Sequence, residues 1–309
     1  MADFRVGIDF GGTKIEIVAI ANDGSETLRR RQPNPLEYGA SIRTVRDLVH
    51  GVETELAGTA TVGVGIPGAV SPDTGLVKNA NSTWLNGEPF GRDLSAALNR
   101  EVRVENDANC FALSEAVDGA GAGHEIVFGV ILGTGVGGGI VVNERVLVGR
   151  HSIAGEWGHT PLPWAKPDEV PGIPCFCGNT GCAERYLSGP SLAEDCDGPG
   201  FRDASGIPAR AEAGDAIAIA ALDRHVERLA RGLAQIINII DPHVIVIGGG
   251  LSNMTHLYQR VPPLLQRHVI SPRCTTPIVQ NRHGDSSGVR GAAWLWPRDV
   301  PRSYRTSGS

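Results

Sequence analysis

One pattern, written twice, limits what this chain can become. Phe4 to Phe10 is an apolar run that stops at Gly11-Gly12-Thr13-Lys14, resumes from Ile15 to Ala21 and closes on Asn22-Asp23-Gly24. Ile126 to Leu132 does the same, through Gly133-Thr134-Gly135-Val136-Gly137-Gly138-Gly139 into Ile140-Val141-Val142 and the turn Asn143-Glu144. The runs are β-branched and bounded by turn residues, so each unit reads as strand, glycine turn, strand. A unit repeated about 120 residues apart implies two related sheets. A length of 309 residues, at roughly 150 per domain, agrees with two α/β domains.

The segments around the two units alternate in the same sense. Ser41 to Leu56 has apolar residues at 42, 45, 48, 49, 52 and 56, a helical face. Thr61 to Ile66 reads as a strand stopped by Pro67-Gly68, Leu94 to Leu98 as a short helix, and Val102 to Glu105 as a strand entering Asn106-Asp107. Leu222, Val226, Leu229, Leu233, Ile236, Ile237 and Ile240 follow the spacing of a buried helix face that Asp241-Pro242 ends. Val244 to Ile247 is an apolar strand entering Gly248-Gly249-Gly250, and a last helix is expected from Gly288 to Leu295, after Asp285-Ser286-Ser287. Residues 165 to 215, rich in Pro, Gly and Cys, read as an irregular insert, and the polar tail 298–309 as disordered.

Charge and composition exclude several classes. Lys plus Arg number 28 and Asp plus Glu 34, a net charge of −6, which argues against a nucleic-acid partner. No apolar stretch reaches the ~20 residues of a membrane helix. The start Met1-Ala2-Asp3-Phe4-Arg5 has no signal-peptide pattern, so the cytoplasm is expected. Three of the six cysteines fall within eight residues, which reads as metal ligation rather than a disulfide framework; Cys110, Cys196 and Cys274 are expected to pack in cores.

The glycine turns invite three readings. Gly133 to Gly138 fits G-x-G-x-x-G, but a hairpin follows where a dinucleotide site needs a helix, so the nicotinamide reading fails. Gly11-Gly12-Thr13-Lys14 lacks Walker spacing, and a strand follows it as well. Glycine-lined turns still present N–H groups to phosphate, and Asp9 beside the first turn is placed to hold magnesium or its water shell. One such turn is most simply a tight bend; two, with Gly248-Gly249-Gly250 as a third, favour phosphate.

Two further constellations carry chemistry. Asp107 follows a strand end, where α/β proteins open their crevices; it could take a proton from a substrate hydroxyl while Asn106 fixes a neighbouring one. A helix N-cap is the equally weighted alternative for this pair. Cys175-x-Cys177-x-x-x-x-Cys182, with His159 sixteen residues earlier, offers three thiolates and an imidazole, the closed donor set of structural zinc. Zinc would pin two loops that bring Glu156 and Glu184, which suits clamping a polyhydroxylated ligand.

Five motifs taken together resemble the ROK family (repressors, open reading frames, kinases): Ile8 to Lys14, Glu105 to Asn109, Gly133 to Gly139, Gly155 to His159 and Cys175 to Glu184. Three more, Lys78 to Gly87, Ser114 to Gly119 and His283 to Trp296, are similar to its bacterial fructokinase/mannokinase branch. The resemblance implies the actin-like ATPase fold, of ribonuclease-H type, with two α/β domains around a cleft. Residues 1–107 plus 288–297 would form the small domain and 108–287 the large one, with the zinc loop at 155–185. It also implies an ATP-dependent hexose kinase using Mg²⁺ and a structural Zn²⁺. Asp107 would be its general base and Asn106 a sugar contact. Glu156, His159 and Glu184 would line the sugar pocket, with His159 also on zinc beside Cys175, Cys177 and Cys182. Gly11, Gly12, Thr13, Lys14, Gly133, Thr134 and Gly135 would face the ATP phosphates, and Gly248, Gly249 and Gly250 the nucleoside. Family members often form homodimers.

The expected product is a hexose 6-phosphate from fructose or mannose. The alternatives are a kinase for glucose or an N-acetylated hexosamine and, from another class, a sugar-responsive repressor. The repressor needs a helix-turn-helix ahead of the first strand, which starts within five residues of Met1.

Overall fold

The computed structural model describes residues 2–284 and 287–297. The expected disordered tail at 298–309, and Asp285 and Ser286 ahead of the last helix, lie outside the described residues. The first half supplies strands β1 (Phe4–Phe10), β2 (Lys14–Ile20), β3 (Glu26–Pro33) and β4 (Ala60–Ile66), a short ribbon of β5 (Ala69–Val70) and β6 (Val77–Lys78), and β7 (Val102–Asn106). The second supplies β8 (Ile126–Leu132), β9 (Val136–Val142), β10 (Arg145–Val146), β11 (Val244–Gly248) and β12 (Ile278–Gln280). They assemble as sheets ordered β3-β2-β1-β4-β7 and β10-β9-β8-β11-β12. In each sheet the hairpin strands pair antiparallel and the last two join parallel. The repeat in the sequence is thus a repeat of strand order.

Helices α1 (Tyr38–Glu55), α2 (Phe90–Leu98) and α3 (Asp107–Val117) come from the first half of the chain. The second half adds α4 (Glu184–Leu187), α5 (Gly189–Asp197), α6 (Ile207–Glu212), the long α7 (Ala216–Ile240), α8 (His256–Arg260), α9 (Pro262–Leu265) and α10 (Ser287–Trp294). The expected boundaries at 107/108 and 287/288 fall at the start of α3 and within the first turn of α10. One apolar core packs α1 and α2 on the first sheet, and another packs α4 to α9 on the second. A third cluster, from α3, α10 and strands of both sheets, joins them. Glycine permits that junction: a Cβ on Gly291 of α10 would lie 1.6 Å from the Cys110 carbonyl oxygen of α3, and one on Gly63 of β4 would lie 1.9 Å from that of Ala292.

Three expectations need correction. Gly137, Gly138 and Gly139 belong to strand β9 rather than to the turn; they are bare because neighbours press on them, a Cβ on Gly139 falling 2.8 Å from that of Ala112 in α3. The insert 165–215 is only partly irregular, since α4, α5 and α6 occupy much of its second half. Cys110 and Cys196 are buried as expected, but Cys274 is only half-buried.

Candidate active site

Asp107 begins α3 where β7 ends, so its position follows from the edge of the first sheet. Asn106 is the N-cap: its Oδ1 accepts from the N–H groups of Ala108 (2.9 Å) and Asn109 (3.2 Å). Its Nδ2 donates to the Gly68 carbonyl at 2.8 Å, which ties the helix start to the loop after β4. The N-cap reading holds for Asn106, and it leaves Asp107 as a separate side chain whose Oδ1 accepts from the Ala108 N–H at 2.8 Å. Asp107 reaches into a cleft of about 930 Å³ that Asn106, Glu156, His159, Glu184, Gly133, Thr134 and Gly135 also line. Its carboxyl is open to the cleft yet deep among protein atoms. That desolvation, with the Asp9 and Glu156 charges, pushes its pKa up to about 6 against the Ala108 N–H.

The loop carrying Glu156 and His159 is pressed onto β9 by missing side chains. A Cβ on Gly158 would sit 2.1 Å from the Val136 carbonyl, and Gly155 (φ +93°) brings one within 2.5 Å of that of Gly138. Buried Trp157 then donates from Nε1 to the Gly137 carbonyl at 2.9 Å. Glu184, at the start of α4, accepts from the Val136 N–H at 2.9 Å. A Cβ on Gly135 would lie 2.6 Å from the Glu184 Oε2, so the second glycine turn stays bare to admit the carboxylate.

The donor atoms of His159, Cys175, Cys177 and Cys182 all lie within 4.8 Å of one another. Cys177 Sγ and Cys182 Sγ are 3.6 Å apart, as are Cys175 Sγ and His159 Nδ1. Zinc–sulfur bonds of about 2.3 Å in a tetrahedron imply a sulfur–sulfur edge near 3.8 Å, so the donor set fits such an ion. The same loop is anchored from behind. Glu169 accepts from Arg228 Nε and Arg231 Nη2 of α7, each at 2.8 Å. Burial alone would raise the Glu169 pKa, but the two arginines and the Lys166 N–H hold it down at about 2.

The first glycine turn lies outside the lining of this cleft but adjoins it through Asp9, whose charge acts on Asp107. Burial and the Glu16 carboxylate opposite it on β2 raise the Asp9 pKa as well. Gly11 N–H closes the turn on the Lys14 carbonyl at 3.0 Å, Thr13 is exposed, and the Lys14 ammonium lies 4.0 Å from Glu16. Of the third glycine group, Gly248 sits under the Phe111 ring and Gly249 (φ +80°) against Leu132. Only Gly250 of the three lines a hollow, one of about 650 Å³ beside α6 and α8.

The sequence profile of the ROK family matches residues 5–299. The chain belongs to the ROK family. An N-acetyl-D-glucosamine kinase of Yersinia pseudotuberculosis is 41% identical over 305 residues, covering 94% of this chain and 97% of that one. One of Pasteurella multocida is 40% identical over 301 residues, covering 94% and 99%. Among solved structures, a ROK hexokinase from Thermus thermophilus superposes with a TM-score of 0.83 at 28% identity, covering 94% and 96%. A ROK glucokinase from Streptomyces griseus, in complex with glucose and AMPPNP, gives 0.73 at 27%, covering 94% and 98%. The fold is the expected actin-like one, and no described helix is long and apolar enough to cross a membrane.

Several residues around this ROK cleft escape a reading of the sequence. Asn34 is buried and donates from Nδ2 to the Gly11 carbonyl at 2.8 Å, bracing the first turn; its flanking prolines, Pro33 and Pro35, are the available signal. Phe176, between two of the cysteines, is 85% exposed, lines the cleft and sets its ring against His159 at 5.1 Å. Asn79, Ala80 and Asn81, from the stretch similar to the fructokinase branch, line the cleft although that resemblance assigns them no contact there, and so do Ser152 and Ile153, which nothing in their spacing marks.

Proposed function

We propose that this chain, an ATP-dependent sugar kinase, transfers the γ-phosphoryl group of ATP to the 6-hydroxyl of a hexose lodged in the 930 Å³ cleft. The observation that carries this reading is the placement of Asp107, a carboxyl with a raised pKa open to a cleft that Gly133, Thr134 and Gly135 also line. Asp107 takes the hydroxyl proton as the sugar oxygen bonds to phosphorus; the bridging bond to the β-phosphate breaks and ADP leaves. Phosphoryl transfer asks mainly for positioning and charge neutralisation. Asn106 fixes the helix start and faces the sugar, Glu156, His159 and Glu184 clamp its other hydroxyls, and the turns at 11–14 and 133–135 face the phosphates. The hollow beside Gly250 suits the nucleoside. Magnesium near Asp9 would neutralise phosphate charge. Zinc, held by His159, Cys175, Cys177 and Cys182 with no open position, would fix the clamp rather than react. Residues 1–107 with 288–297, and 108–287, would act as the two lobes that close and exclude water.

For the sugar, the relatives at 40–41% identity support an N-acetylated hexosamine over the fructose first expected. Fructose or mannose remains the second reading because Asn79, Ala80 and Asn81, from a stretch similar to the fructokinase branch, line the cleft. Measuring kcat/KM by ADP release over a hexose panel, with and without magnesium, tests both. N-acetyl-D-glucosamine should lead; preference for fructose or mannose reverses the choice, and no hexose of the panel stimulating magnesium-dependent ADP release sinks the kinase reading.

A further inference from the structure

The stretch beginning at Lys78 does more than line the cleft. Lys78 closes the β5–β6 ribbon of the first half, and its ammonium donates to the main-chain carbonyl of His151, 2.6 Å away in the loop after β10. We propose that Lys78 is a positioning residue that straps the two lips of the cleft together and sets its width for the sugar, an inference that rests on the kinase reading above.

Each end of the bond is wired to the site. On the first lip, a Cβ on Gly68 would lie 2.4 Å from the Lys78 carbonyl oxygen, so the two segments are in tight contact. The Gly68 carbonyl in turn accepts from Asn106 Nδ2 at 2.8 Å, next to Asp107. Asn86 clasps Ala80 in both directions, Oδ1 accepting from its N–H at 2.9 Å and Nδ2 donating to its carbonyl at 2.8 Å. A shift of this lip at Lys78 is passed to Gly68 and from there to Asn106, the residue before the proposed base.

The opposite lip is a loop in need of a hold. Gly149, Ser152 and Gly155 all have positive φ, and its internal main-chain bonds are long, 3.4 Å from Ser152 N–H to Gly149 and 3.3 Å from Ala154 N–H to Val148. Its tip at His151 is exposed. Ser152 and Ile153 line the cleft, and the Glu156 N–H bonds back to Ile153 at 3.2 Å. A tether at His151 therefore constrains the sugar side of the cleft more than the phosphate side. Lysine suits such a strap, because a flexible four-carbon stem with three donors can follow a carbonyl as the lips move, and a charged donor strengthens the bond.

Lys78→Met keeps the stem and removes the donor. With the best hexose of the panel, its sugar KM should rise about three- to ten-fold, with the KM for ATP and the thermal midpoint unchanged, and Lys78→Arg should recover most of the loss. Independently of any activity, amide exchange at 149–156 should speed up in Lys78→Met while α1 stays protected. Failure of the wild-type chain to phosphorylate any hexose would condemn the kinase reading but leave the exchange measurement to decide the strap. Unchanged exchange at 149–156, an unchanged sugar KM in an active enzyme, or equal rises in both KM values would overturn it.

Discussion

Acidification is the most direct perturbation of the proposed base. Burial raises the Asp107 pKa, the Asp9 and Glu156 carboxylates add to it, and the Ala108 N–H opposes them, leaving it at about 6. The reaction needs the ionised form, so the active fraction is present above that value and lost as the pH falls through it. A single group titrating at about 6 is roughly nine-tenths ionised at pH 7 and roughly one-tenth at pH 5, whereas an ordinary aspartate stays ionised at both. kcat/KM should thus fall about tenfold between pH 7 and pH 5, against almost no loss for an unperturbed carboxyl. Both substrates should be kept well below their KM values, since the profile then reports the free enzyme. Product should be read directly, so that a coupling enzyme does not impose its own pH limit. Asp9→Asn removes one of the charges that raise Asp107, and its acid limb should move to lower pH whatever happens to the absolute rate. A flat profile down to pH 5, with circular dichroism showing the fold intact, would refute the assignment of Asp107 as base and the account of its environment.

Three other outcomes follow from the same geometry. Asp107→Asn should lower kcat by about 10²- to 10⁴-fold, while calorimetry finds sugar affinity within a few-fold of wild type because the neutral side chain keeps the shape. Purified protein should carry one zinc per chain by elemental analysis; stripping it should raise amide exchange across 155–185 and weaken sugar binding, and an unchanged sugar affinity after verified removal would count against the clamp. Glu169→Ala should destabilise the fold by about 3 kcal/mol in denaturant titrations, the lower end of the range for breaking a buried pair. Arg231, 1% exposed, would lose one carboxylate but keep Glu227 at 3.1 Å and the carbonyls of Pro163 and Trp164.

What can be read from the chain, and what cannot, divides along a physical line. Strand, turn and strand are local patterns, so both hairpins and the acid at the end of β7 are legible, and the Cys175–Cys182 spacing places its donors together almost by itself. Glycine is ambiguous because one residue serves two purposes. Gly133 and Gly135 lie in the turn itself, where Gly135 also leaves room for Glu184, whereas Gly137, Gly138 and Gly139 lie in β9 and yield space to Trp157 and α3; in sequence the two groups look alike, and a strand reads as a turn. The short helices of the insert escape because their hold is tertiary or from local caps: α5 starts on the Ser188 side chain, which accepts from the Ser191 N–H, and α4 is set by the Glu184 contact with β9. Asn34 and Lys78 illustrate the same limit at the site, since each acts on a main-chain carbonyl, and a carbonyl leaves no mark in the identity of the residue that carries it. If the strap proposed above sets the cleft width, sugar choice lies at the far end of this scale, because the lips at 78–81 and 151–156 belong to opposite halves of the chain and meet only in the folded structure. On that proposal, a chain with all five motifs intact would change its sugar when the tie between those lips changes, and Lys78→Met is the direct test.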